Sequence, residues 1–354
     1  MLPARPLALA AAVLSLTLAA CSPPDPQHKA SAALADGVLL PAYAAWADAD
    51  RQLAESAAAF CAGAQDLPEA RQAFLAAQRG WSALQPLQLG PLAEGNLAWQ
   101  VQFWPDKKNL VARQVEELLT RTPQLSQADL DQGSVVVQGL SAYEYVLFDR
   151  RIELADAAQK ARYCPLLVTI GAHQQALSAQ VLEQWQTGLA EQFKTFPNAR
   201  YADAQEAIAD LLRTQVSAID GLKKKLATPL GRQSKGVPQP FQAEGWRSQT
   251  SLSTLDAGLA SAERLWLGAE QDGLRSLLGS QQHDLAERVG FAYSDTRQRL
   301  AALRQPLGEL LASEPGRTEL NALYDSLNRL HRLQEGELAK ALGIPMGFNA
   351  HDGD

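Results

Sequence analysis

The sequence predicts an all-α protein, and three observations carry that prediction. Apolar residues recur at helical spacing along almost the whole chain. No run of alternating β-branched residues bounded by turn signals interrupts them. The composition leans on Ala, Leu and Gln, which lose little freedom on entering a helix.

Taken in order, the periodicity predicts a first helix over 37–63 and a second over 68–85. Pro68 suits the first turn of the latter, where its missing N–H would have no partner in any case. Helices follow over 108–122 and 135–148, with Ser126 placed as an N-cap between them. Further helices are expected over 155–186, 202–227, 247–267, 281–312 and 317–342, with Ser280 as an N-cap. Helices of this length form bundles. The sharpest break is 228–244 (TPLGRQSKGVPQPFQAE), dense in Gly, Pro and polar residues. We therefore expect two helical-bundle halves, 37–227 and 247–354, joined by a linker or crossover over 228–246.

The N-terminus reads differently. Arg5 precedes an apolar run of signal-peptide length, shorter than the ~20 residues that span a bilayer. The run ends at Leu18-Ala19-Ala20-Cys21, which resembles a bacterial lipobox. Residues 1–20 are thus expected to be a leader, Cys21 a lipidated N-terminus, and 21–36 a polar, Pro-rich tether. Ser22 in place of Asp directs such an anchor, by the sorting rule of enteric bacteria, to the outer membrane facing the periplasm. Losing Arg5 shifts the formal charge from −7 to −8. An acidic chain of this kind is a poor nucleic-acid binder, because little in it would neutralise phosphates. Lipid on Cys21 leaves Cys61 and Cys164, which in an oxidising periplasm are expected to pair, the alternative being two buried thiols.

The chain lacks HExxH, CxxC, GxxxxGK[ST], GxGxxG and GxSxG patterns, and its five histidines are scattered. A zinc site built on neighbouring histidines is therefore not expected. Two stretches draw notice. Residues 86–108 pack Trp99, Trp104, three Pro and two Gly into an irregular segment, either a site loop carrying Asp106 or a packed cover for a bundle end. Residues 139–148 (GLSAYEYVLF) put Ser141 and Glu144 on one helical face, with Glu144 alone in an apolar run. A buried carboxylate must be paired, hydrogen-bonded, protonated or bound to a cation.

These segments resemble the imelysin family, whose signature is a helical GxHxxE; here GLSAYE carries Ser141 where the family has His. The same order holds for Phe103-Trp104-Pro105-Asp106 after Gly90-Pro91, for Trp246-Arg247-Ser248 before Ser251-Leu252, and for the tail 347–354 (GFNAHDGD). The resemblance spans about 38–354 and implies two bundle-like halves in an envelope protein linked with iron acquisition. It further implies a site between the halves drawn from Ser141, Glu144, Asp106, Arg247, Ser248, Asn349 and Asp352. Arg247 would offset Glu144, while the Asp and Asn oxygens suit iron or another hard cation. Without the signature His, a Ser hydroxyl is neither a good metal ligand nor an activated nucleophile. We therefore expect a non-catalytic ligand- or metal-binding lipoprotein that works beside iron-acquisition proteins. A metallopeptidase and a structural or partner-docking lipoprotein are the alternatives.

Overall fold

The computed structural model describes residues 25–346 apart from Asn96. Cys21, Asn349 and Asp352 lie outside the described residues. The fold is all-α, with no strand among the described residues. We label its longer helices α1 (Pro26–Leu34), α2 (Leu40–Cys61), α3 (Leu67–Leu84), α4 (Leu110–Arg121) and α5 (Leu140–Phe148). They continue as α6 (Ala157–Gln184), α7 (Ala204–Ala227), α8 (Ser251–Leu267), α9 (His283–Ala302) and α10 (Glu314–Arg332).

One half packs α2 between α3 and α6, with α5 against α3 and α6. The other packs α10 against α7 and α9, and α8 against α7 and α9. The α3–α8 contact joins the halves, and α7, sequentially the last helix before the linker, lies on α8 and α10. A single apolar core therefore runs through both. Trp46, Trp81, Trp185 and Trp266 are fully buried in it. A disulfide ties Cys61 at the end of α2 to Cys164 in α6, 103 positions away. Closing a loop of that length restrains the unfolded chain by about 4–5 kcal/mol. No helix among the described residues is long and apolar enough to cross a membrane.

Several boundaries differ from the sequence reading, each for a physical reason. The stretch 26–36, expected to be tether, is helical. Asp25 caps α1 through Gln27 N (3.0 Å), Pro26 occupies the first turn, and a π turn (Ala35–Leu39) runs α1 into α2. Burial of Ala30 and Leu34, with Ser31 Oγ donating to Phe193 O (2.6 Å), fastens α1 to the body. Residues 135–148 break at Gly139, which is extended at φ −122°. A Cβ there would lie 2.3 Å from the carbonyl oxygen of Val101, so only glycine lets the two backbones meet. Ser126 caps a short helix (Gln127–Asp131) in a capping box with Asp129, whereas Ser280 opens a 3₁₀ turn ahead of α9 and caps nothing. The expected 281–312 helix stops at Ala302 and resumes at Leu307, because Pro306 cannot continue it.

Candidate functional site

The junction of the halves is built from α5, the turn leading into α8 and the 86–108 segment, which is expected from the sequence to be irregular but holds two four-residue helices, Pro91–Glu94 and Ala98–Val101. Glu144 is 6% exposed in the middle of α5. Its Oε1 accepts from Ser248 N (2.8 Å) and from Ser248 Oγ (2.7 Å). Burial pushes the Glu144 carboxyl above the usual range, and the two Ser248 bonds and the Arg247 charge oppose that rise. Ser248 can reach Glu144 because 246–250 is a tight turn rather than the start of the expected 247–267 helix. Gly245 at φ 62° makes the turn, and a Cβ on it would strike Thr250 Oγ1 at 2.1 Å.

Of the other predicted residues, the described ones, Ser141, Asp106 and Arg247, converge on the same place with different duties. Ser141 Oγ donates to Phe103 O (2.9 Å). Asp106 spends both oxygens on the start of α4, accepting from Leu110 N (2.6 Å) and Val111 N (3.2 Å). Arg247 does not bond Glu144, as the sequence reading expected. It reaches the other way, to Asp149 Oδ2 (3.2 Å) and Asn109 Oδ1 (2.8 Å), with its guanidinium 4.3 Å from the Trp246 ring centroid. Asp149 also accepts from the backbone and guanidinium of Arg151 (2.9 Å at Nε). Burial opposes its ionisation, yet the bonds from Arg151 and Arg247 hold the Asp149 carboxyl down to about 2.

Ser141, Glu144, Asp106 and Arg247 line one cavity of only about 20 Å³, room for about one water. Glu244, on its wall, forms a second buried pair with Lys225 Nζ (2.6 Å), joined by Gln85. Burial lowers the Lys225 pKa, and Glu244 opposes the shift. Trp104 closes the junction by donating from Nε1 to Gln242 O (3.0 Å). The sequence reading missed Asp149, Glu244 and Lys225. The first two had a local signal, since Asp149 directly follows the signature helix and Glu244 directly precedes the Gly245-Trp246-Arg247-Ser248 turn.

The donor set among the described residues does not fit a bare metal ion. Among the described residues no three His, Cys, Asp or Glu side chains come together as an ion would require. Asp106 is committed to a helix end, and the hydroxyls of Ser141 and Ser248 are donating. His173 bonds Asp131 Oδ1 (2.8 Å) and His331 lies beside Lys223 Nζ (3.5 Å), so neither lines the Glu144 cavity.

The chain is similar to known proteins in sequence and in fold. The chain is 25% identical over 313 residues to iron-regulated protein A of Synechococcus elongatus, covering 83% of each chain. Its fold matches an imelysin-like protein from Psychrobacter arcticum 273-4 with a TM-score of 0.77 at 20% identity, over 91% of this chain and 97% of that one. A candidate iron-regulated protein A precursor from Parabacteroides distasonis matches with a TM-score of 0.73 at 16% identity, over 92% and 97%. The Imelysin family model covers residues 39–334, from the start of α2 to the end of α10, and so takes in every part of the junction just described. The chain belongs to the imelysin family.

Proposed function

We propose that this is a non-catalytic, iron-related ligand-binding protein of the cell envelope, held by lipid on Cys21 at the outer membrane and facing the periplasm. The single observation that carries the non-catalytic reading is the state of the Glu144 centre. Its carboxylate takes two hydrogen bonds from Ser248, and Ser141, standing where the family signature has His, gives its hydroxyl to a backbone carbonyl. A general base needs a basic group free to take a proton, and a nucleophile needs a neighbouring base. No activated nucleophile is provided by a centre whose two hydroxyls donate to oxygen with no imidazole beside them among the described residues, and the Ser248 bonds oppose the gain in basicity that burial gives Glu144. The iron relation is supported by the names of the relatives, two of which are iron-regulated proteins A. Function as a partner of iron-acquisition proteins belongs to the same proposal.

Purified full-length protein, incubated with an unfolded protein substrate with and without a chelator, is expected to release no peptides in either arm. Chelator-sensitive cleavage lost in Glu144→Ala would replace this reading with a metallopeptidase. Calorimetric titration with ferric citrate and with other ferric chelates is expected to give saturable binding to at least one. Metabolic labelling with a radioactive fatty acid tests the anchor, and Cys21→Ala is expected to abolish the label.

A further inference from the structure

A larger cavity, of about 580 Å³, opens beside the Glu144 centre and shares Phe241, Ala243, Trp246 and Arg247 with its lining. Its walls come from four remote stretches: Asn109 ahead of α4, the end of α5 with the residues after it, the 240–251 segment, and the Pro306 break. Three features mark it as a built site. The first is aromatic. Phe241 stands at the mouth 68% exposed, its ring 5.0 Å from Trp246 and nearly perpendicular to it, with Phe148 also on the wall. A large apolar ring left in water at a cavity mouth offers a flat face for a second ring.

The second feature is charge. Three guanidiniums, Arg150, Arg151 and Arg247, face two carboxylates, Asp149 and Glu309. Arg247 and Arg151 are both engaged by Asp149. Arg150 is exposed and has no ion pair or hydrogen bond among the described residues, so its planar fork of donors is open to an incoming anion. The third feature is backbone conformation. Of the four non-glycine residues with positive φ among the described residues, Asn109 (50°) and Gln249 (61°) both line this cavity. Such conformations are costly for residues with a Cβ and gather at ligand sites.

We infer that this cavity binds a flat aromatic anion, its ring against Phe241 and Trp246 and its acidic group on Arg150. This rests on the ligand-binding reading above and adds the class of ligand. Aromatic anions have two sources, a ring-bearing chelator that carries iron or the metal-free aromatic acid. Both present the chemistry that Phe241 and Arg150 recognise.

The test titrates the full-length protein, followed by tryptophan fluorescence and calorimetry, with four probes: 2,3-dihydroxybenzoate, its ferric complex, ferric citrate and benzoate. At least one aromatic probe is expected to bind saturably and more tightly than ferric citrate. Phe241→Ala and Arg150→Ala, both at exposed positions where folding is little affected, are each expected to weaken it tenfold or more. Phe291→Ala, which removes an aromatic equally exposed on α9 and away from the cavity, is expected to leave it unchanged. Preference for the ferric complex identifies the iron-bearing source. Equal or tighter binding of the metal-free acids upholds the aromatic anion and removes the iron relation. Binding of ferric citrate alone overturns the aromatic anion and leaves the iron relation standing. No aromatic binding, or binding indifferent to Phe241 and Arg150, overturns the inference.

Discussion

Asp50 and Glu144 are both helical carboxylic acids buried from solvent, one in the core of the first half and one where the halves meet. Burial raises the pKa of both. At Glu144 the turn before α8 brings two donors to one oxygen, whereas neither oxygen of Asp50 has a hydrogen-bond partner. Ser178 lies near Asp50 but donates its hydroxyl to Gln174 O (2.9 Å) instead. Asp50 is accordingly pushed well above the ordinary range, and Glu144 is moved in the same direction against opposition. The difference teaches that burial alone does not make a polar junction. What separates the two is donors delivered from a remote stretch of chain, and these fasten one half to the other.

The first way to break the comparison is to remove a charge at the junction. Glu244→Ala leaves Lys225 buried without a counter-charge, since its side chain is only 10% exposed. Urea unfolding is expected to show a loss of about 3–5 kcal/mol, largely restored when Lys225→Met is added. Next, Ser248→Ala withdraws one of the two donors from Glu144 and is expected to cost about 1–3 kcal/mol. Glu144→Gln, which keeps an acceptor oxygen, should cost less in the same urea unfolding.

Asp50 sharpens the contrast through pH. Its folded pKa lies above its unfolded value, so above about pH 4 the unfolded chain releases a proton that the folded chain retains. Stability from this group is therefore full at acid pH and declines as pH rises. Relative to wild type, Asp50→Asn is expected to gain stability as pH rises above about 4 in unfolding titrations. Glu144→Gln should show a shallower drift of the same sign, and a steeper one would erase the distinction. The smallest effect is expected at Arg151→Ala, which removes an exposed partner of Asp149 and should cost no more than ~1 kcal/mol at neutral pH. Asp149 lies below its unfolded value, so its contribution is present at neutral pH and is lost as pH falls from about 4 toward 2. Arg151→Ala should move that loss to higher pH.

The helical class was legible because each amphipathic face repeats its pattern many times over. Interruptions set by long-range contact were not, as at Gly139, where the Val101 carbonyl oxygen decides the break. Proline signals were legible in principle. Asp25-Pro26 is an N-cap followed by a first-turn proline, but a Pro-rich stretch next to a leader reads equally as tether. Glu144 announced itself as a charge in an apolar run. Asp50 did not, because its neighbours Asp48 and Arg51 make the segment look like a solvated face. The true partner of Arg247 was hidden for a different reason. Arg247 and Asp149 are 98 positions apart, and only the fold decides whether that guanidinium meets Asp149 or Glu144.

The early start of α1 has a mechanical consequence. With lipid on Cys21, as proposed, Ser22 to Asp25 are all that separates the anchor from a helix packed into the protein body. Four extended residues reach at most about 14 Å. The body would then ride close against the bilayer with one end held down, unable to roam outward, and whatever it binds would be handed over next to the membrane surface.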